Sequence, residues 1–139
     1  RKRFDKLRQN GKAIDCVWSA KSLQAKGMAI DHCFPWAHWQ NNDLWNLLPA
    51  KNTVNLAKSD KLPSATLIQN SRQRIIDWWE CAYLDSNLKD EFLISAGAAL
   101  PGIQSDSVNS QSVYQALLFQ RDRMQRNQQL QEWNYAIKR

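Results

Sequence analysis

The sequence predicts an α+β protein in which a small mixed α/β element near residues 14–60 precedes a mainly helical C-terminal region. A chain of 139 residues and 16.2 kDa has the usual size of one domain. Short apolar stretches bounded by polar residues and glycine occur only in the first half, whereas apolar residues recur at helical spacing in the second. We therefore expect a basic N-terminal arm and the mixed element in residues 1–65. Residues 66–139 should form a helical extension packed on that core, in one compact domain.

The composition excludes several classes of protein. Hydrophobic residues make up 43% of the chain and charged residues 23%, which is typical of neither a disordered nor a membrane protein. No stretch approaches the roughly 18 apolar residues of a transmembrane helix. Three widely separated cysteines argue against a disulfide scaffold and against a paired Cys-x-x-Cys zinc site. These features favour a cytoplasmic protein, and the start at Arg1 suggests a piece of a longer polypeptide.

The excess of positive charge lies at the N-terminus. The formal charge is +6, and residues 1–30 hold eight Lys or Arg against two Asp, so this segment accounts for the whole excess. A basic cluster of this kind attracts polyanions, of which nucleic acid is the commonest in a cell. The alternative is a solvated helix face that only promotes solubility. The basic residues that crowd together are Arg1, Lys2, Arg3, Lys6, Arg8 and Lys12.

The first half of the chain is expected to contain two helices, two strands and a long loop. Phe4 and Leu7 lie three residues apart among charges, which predicts an amphipathic helix that ends near Gly11. Short apolar runs predict strands over residues 14–18 and 28–30. Residues 33–49 have the composition of a loop, and residues 52–59 could form a helix that stops before a proline.

The second half of the chain is expected to be helical. Residues 91–100 predict a short helix closed by proline and glycine, and residues 104–111 predict a polar loop. Arg121, Arg123 and Arg126 are expected to lie on a solvated helix face. Apolar residues at helical spacing predict further helices; the first set is Ile68, Ile75, Ile76, Trp79 and Tyr83, and the second is Val113, Leu117, Met124, Leu130, Trp133 and Ile137.

The most informative pattern is an acid beside a histidine followed by two spaced asparagines. Asp31 and His32 are adjacent, Asn46 follows the histidine by 14 residues, and Asn55 follows by nine more. Pro35 and the run Asn-x-x-Lys-Ser-Asp-x-x-Pro that starts at Asn55 extend the pattern. Residues 14–63 thereby resemble the HNH endonuclease family, and in particular its Asp-His…Asn…Asn branch, which includes the HNH domains of CRISPR effector nucleases.

The resemblance implies a ββα-metal fold, which is two antiparallel strands and a helix around one divalent ion. It implies that His32 is the general base and that Asp31 and the amide oxygen of Asn55 ligate the ion. Histidine has an ordinary pKa near 6.5 and is suited to remove a proton from water at neutral pH. A few hard oxygen ligands favour Mg²⁺, with Mn²⁺ as an alternative.

Further residues are expected to support catalysis or substrate binding. In the family, the asparagine at the place of Asn46 ties down the loop that holds the base. Lys58 lies three residues after Asn55 on the same helix face, from which it could reach a phosphate. The N-terminal basic residues Arg3, Lys6, Arg8 and Lys12 are expected to contact nucleic acid. Neighbouring residues of a regular strand point to opposite faces, so Asp31 and His32 can serve one site only if the strand ends or bends there.

The sequence therefore predicts a metal-dependent endonuclease that cleaves DNA, double- or single-stranded, one strand per event. It is expected to be a module of a larger defence or CRISPR-type effector, with or without a guide RNA, and without contact to a membrane. Two alternatives remain open at this point. One is a non-catalytic nucleic-acid-binding or scaffold module, which the basic arm alone would also suit. The other is a ribonuclease that uses the same site, since the chemistry does not distinguish the sugar.

Overall fold

The protein has mixed α/β architecture, as predicted. The computed structural model describes residues 1–104 and 106–137. A 3₁₀ turn at Leu44–Asn46 precedes the second strand, and a π-helical segment at Glu80–Leu84 continues the fourth helix. The helices and strands within the described ranges are α1 (Lys2–Gln9), β1 (Met28–His32), β2 (Leu47–Lys51), α2 (Asn52–Lys58), β3 (Leu62–Pro63), α3 (Ala65–Asn70), α4 (Arg72–Trp79), α5 (Lys89–Ala99), α6 (Ser110–Gln128) and β4 (Glu132–Trp133).

Strands β1 and β2 form an antiparallel pair that leads directly into helix α2. Ile30 lies opposite Pro49 and His32 lies opposite Leu47, so His32 occupies the last position of the pair. The prediction of a loop over residues 33–49 is wrong at its end, where β2 begins. Proline is tolerated there because both strands of a two-stranded sheet are edge strands. Because of this ββα order, the C-terminal end of β1, the loop before β2 and helix α2 lie close to one another.

The predicted strand over residues 14–18 does not form. The segment makes an isolated antiparallel bridge between Asp15 and Ser22 and otherwise turns back on itself. Its centre is fully buried, since Cys16, Val17 and Trp18 each have no exposed surface. In a strand with one solvated face, every second side chain would be exposed. Three consecutive buried side chains are therefore typical of a turn that packs within the core.

The C-terminal segment also differs from the sequence-based prediction. Helix α6 ends at Gln128, and the next residue adopts a left-handed conformation with φ 50°. Trp133 therefore lies not on a helix but in strand β4, which pairs in parallel with β3. Its ring contacts that of Trp18 at 6.3 Å between centroids. Hydrophobic periodicity could not reveal this, because a two-residue strand depends on its distant partner rather than on its own pattern.

Arg121 is buried, so the prediction of a fully solvated arginine face on α6 is wrong for this residue. Its Nε donates to the carbonyl oxygen of Pro63 at 3.1 Å, and its two terminal nitrogens pair with Asp122 and Glu132. Arg123 and Arg126 are exposed. Arg121 thus fastens β3 and β4 to helix α6.

A single hydrophobic core joins both halves of the chain. It contains residues of the ββα region, such as Leu48 and Val54, and residues of α4 and α6, such as Trp79 and Leu117. Helix α1 packs on this body through the buried Phe4. Within the described ranges, no helix has the length and apolar character that a membrane crossing requires.

Candidate functional site

The end of β1, the following loop and helix α2 together line one open cavity. Its volume is about 330 Å³. Asp31 and His32 both contribute to its wall although they are sequence neighbours, which the position of His32 at the last residue of β1 allows. Asn55 joins them from α2. The remaining lining residues are Ile30, Pro35, Trp36, Ala37, Ser59 and Asp60.

Asp31 is a buried carboxylate with two strong donors. Only 4% of the residue is exposed. Its Oδ2 accepts a hydrogen bond from the indole Nε1 of Trp18 at 2.8 Å, and its Oδ1 accepts one from the ammonium of Lys58 at 3.1 Å. Burial raises the pKa of the Asp31 carboxyl above its ordinary value, while the Lys58 charge and the Trp18 hydrogen bond act in the opposite direction. The two donors hold the carboxylate in one orientation.

Lys58 lies in the interior, which differs from the phosphate contact expected from the sequence. The residue has no exposed surface, and its ammonium also donates to the carbonyl oxygen of His32 at 2.8 Å. A buried ammonium with these two partners cannot reach a substrate without leaving both of them. The reason is that the last turn of α2 packs against β1, where the buried carboxylate of Asp31 requires a counter-charge. Lys58 therefore stabilises the C-terminal end of β1 through its bonds to Asp31 and to the backbone of His32.

His32 is half-buried, and its ring is oriented by a residue that the sequence motif does not include. The Nε2 atom lies 2.7 Å from the side-chain oxygen of Asn42. Since an amide oxygen only accepts, this contact is a hydrogen bond when Nε2 carries the proton, which leaves Nδ1 as the acceptor of a neutral imidazole. Sequence reasoning missed Asn42 because it lies in an exposed loop and no pattern distinguishes it from the neighbouring Asn41.

Asn46 is fully buried and bridges two parts of the loop before β2. Its side-chain oxygen accepts from the backbone N–H of Phe34 at 2.8 Å. Its amide nitrogen donates to the carbonyl oxygens of Phe34 at 3.3 Å and Asn41 at 3.0 Å. These bonds fix the chain two residues after His32 and immediately before Asn42. Asn46 thus holds the imidazole and its partner indirectly, with no direct bond to either side chain.

The residues in the cavity fit a hard divalent cation. Asp31 retains acceptor capacity, because a carboxylate offers about four acceptor positions and the two donors occupy two of them. Among the hydrogen bonds between described residues, none involves the side-chain amide of Asn55. Across the same ranges no three His, Cys, Asp or Glu side chains cluster as a metal site. One carboxylate and one amide suit Mg²⁺, which keeps several of its waters.

The N-terminal basic residues form a helix attached to the body. Arg3 is half-buried and donates through Nε to the carbonyl oxygen of Ala82 at 2.8 Å. Arg8 is half-buried as well and donates to the side chain of Gln24 at 2.9 Å. Lys6 and Lys12 are exposed. The segment is therefore a charged surface of the folded protein, from which the exposed side chains of Lys2, Lys6 and Lys12 extend into solvent.

Comparisons with known proteins agree with the motif. Residues 16–64 match the family model described as HNH endonuclease. That range includes Asp31, His32, Asn46 and Asn55, together with the strand pair and helix that carry them. A search of curated proteins and a search of solved structures found no match.

Proposed function

We propose, from the match of residues 16–64 to the HNH endonuclease family model, that the protein is a divalent-metal-dependent endonuclease that hydrolyses DNA phosphodiester bonds at the cavity described above. The observation that carries the proposal is the convergence of Asp31, His32 and Asn55 on one cavity wall from two different elements. Nuclease activity in general follows from the family. The metal, the substrate and the role of each residue are our proposals.

Asp31 and the amide oxygen of Asn55 are proposed to hold the cation, which we propose to be Mg²⁺, with Mn²⁺ as a substitute. When bound, such an ion would polarise the phosphate and stabilise negative charge on the leaving oxygen. Lys58 and Trp18 keep the Asp31 carboxylate in place, and Lys58 also neutralises it in part before the ion arrives.

His32 is proposed to act as the general base through Nδ1. The Asn42 oxygen holds the proton on Nε2, so that Nδ1 is available to accept a proton from water. That water attacks the phosphorus, and the bond from phosphorus to the 3′ oxygen breaks. The leaving oxygen takes up a proton from solvent, which gives 5′-phosphate and 3′-hydroxyl ends as in the family. One such site cuts one strand per event.

Lys6 and Lys12 are proposed to attract the nucleic acid. Arg3 and Arg8 are proposed to add positive charge while they remain hydrogen-bonded to the rest of the protein. We further propose that the chain is the nuclease part of a larger effector in defence or of the CRISPR type, in the cytoplasm, where other domains or a guide RNA choose the target. The similarity of the Asp-His…Asn…Asn pattern to the HNH domains of CRISPR effectors supports this context. The flanking polypeptide would identify it.

Incubation of the protein with supercoiled plasmid tests the proposed reaction. We expect Mg²⁺-dependent nicking to the open circle, with slower appearance of linear product because one site cuts one strand. EDTA should abolish the nicking. Nicking at an equal rate in EDTA would contradict the metal requirement. Salt-dependent binding without any Mg²⁺-dependent cleavage would favour a non-catalytic module, and cleavage of RNA in preference to DNA would favour a ribonuclease.

A further inference from the structure

Trp36 is an exposed tryptophan in the wall of the candidate site. It is 45% exposed. Its indole meets the His32 ring at 5.8 Å between centroids, with the planes inclined by 61°. Single exposed apolar residues are common on protein surfaces and need no explanation by themselves. The position of Trp36 beside the proposed base is what distinguishes it. None of the other tryptophans is similarly exposed: Trp18, Trp45 and Trp79 have no exposed surface, Trp78 has 3%, and Trp39 and Trp133 are half-buried.

The aromatic core next to Trp36 is complete without it. Phe34, Trp39 and Trp45 contact one another pairwise at 5.4 to 5.8 Å between ring centroids. Trp36 takes part in none of these pairs. Its indole is therefore not required for packing in the way that its neighbours are.

The backbone holds Trp36 at the tip of a closed turn. The N–H groups of His38 and Trp39 both donate to the carbonyl oxygen of Pro35, at 2.9 and 3.1 Å. A turn closed in this way limits the motion of Trp36, so that less conformational entropy is lost when the indole meets a ligand. An aromatic ring that is exposed and held in position is suited to stacking.

We propose that Trp36 stacks on an unpaired base of the nucleotide beside the scissile phosphate, so that the site prefers a single-stranded or locally opened strand. This inference rests on the proposed function. A base inside a duplex has both faces covered by its neighbours, and an indole can reach a face only when the base is unpaired. Stacking of a base on an aromatic side chain strengthens binding and tolerates every base, because every base has an aromatic face. Trp36 thus favours single-stranded over double-stranded nucleic acid and does not distinguish base sequences.

Binding measured in EDTA tests this separately from cleavage. Fluorescence anisotropy of one labelled oligonucleotide, as a single strand and as a duplex, should show tighter binding of the single strand by the wild type. Trp36→Ala should weaken single-strand binding about tenfold or more and leave duplex binding unchanged. Trp36→Phe should retain most of the affinity. Phe119→Ala is a matched control, because Phe119 is also exposed, at 54%, and lies outside the cavity.

The outcomes separate the two proposals. If single-strand binding depends on Trp36 but Mg²⁺ supports no cleavage, the stacking site stands and the nuclease proposal fails. Equal losses on single strand and duplex would overturn the stacking proposal and indicate a contact to the sugar–phosphate backbone. No loss with Trp36→Ala, or no single-strand binding by the wild type, would overturn it as well. With Mg²⁺ present, we expect Trp36→Ala to raise KM for single strands more than it lowers kcat.

Discussion

His32→Ala is expected to lower the rate of DNA cleavage by about 10²- to 10⁴-fold, which is the usual contribution of a general base. The variant removes the imidazole from the cavity wall, and no other described residue that lines the cavity is a histidine. Single-turnover cleavage in Mg²⁺ measures the chemical step. Asn42→Ala keeps the imidazole and removes its partner, so we expect a smaller loss of up to about tenfold, as for one hydrogen bond.

His38→Ala is the matched control for this measurement. His38 is also half-buried, but its ring contacts the carbonyl oxygen of Asp60 at 3.0 Å and it is not part of the cavity wall. We expect its rate to stay within a few-fold of the wild type. A fall as large as that of His32→Ala, or an unchanged rate in His32→Ala, would refute the assignment of the base.

Lys58→Met is expected to lower the free energy of unfolding by about 3–5 kcal/mol, the usual cost of leaving one member of a buried ion pair alone. Methionine has a similar length, so the loss arises from the unpaired Asp31 carboxylate and from the vacated carbonyl of His32. Urea denaturation at neutral pH measures the effect. Lys89→Met is the control: Lys89 is exposed, and we expect a change within about 0.5 kcal/mol.

The pH dependence of the Lys58→Met effect has a definite sign. Burial already raises the pKa of Asp31, and loss of the ammonium raises it further. An acid whose folded-state pKa is raised costs stability when ionised, and this cost disappears as the pH falls through the folded pKa. The difference between wild type and variant should therefore shrink from pH 7 toward acid. The double variant Asp31→Asn/Lys58→Met removes both charges and should recover most of the stability. A pH-independent loss that the double variant does not recover would contradict the ion-pair account.

Local patterns in the sequence predicted the parts of the fold that depend on short segments. Helices α1, α2 and α5 and strand β1 lie close to their predicted places, because each has its own apolar spacing or boundary residues. Strands β2 and β4 were not predicted from the sequence. The first contains Pro49 and the second has two residues, and both exist only because a distant partner pairs with them.

The motif residues of the candidate site were evident from their spacing, but the residues that orient them were not. Trp18 and Lys58 both donate hydrogen bonds to Asp31, although they lie 13 and 27 residues away along the chain. Such contacts depend on how a buried carboxylate is satisfied in three dimensions. A lysine three residues after Asn55 is consistent with a solvated and with a buried side chain alike, and only the packing of α2 on β1 decides between them.

A crystal structure grown or soaked with Mn²⁺ tests the central claim most directly. The anomalous difference map should show one strong peak in the cavity lined by Asp31, His32 and Asn55, with the carboxylate of Asp31 and the amide oxygen of Asn55 as its protein ligands. Asn55→Ala should weaken or remove that peak while the ββα fold remains. A map without a peak at this place, or with manganese bound only elsewhere on the protein, would contradict the proposed metal site.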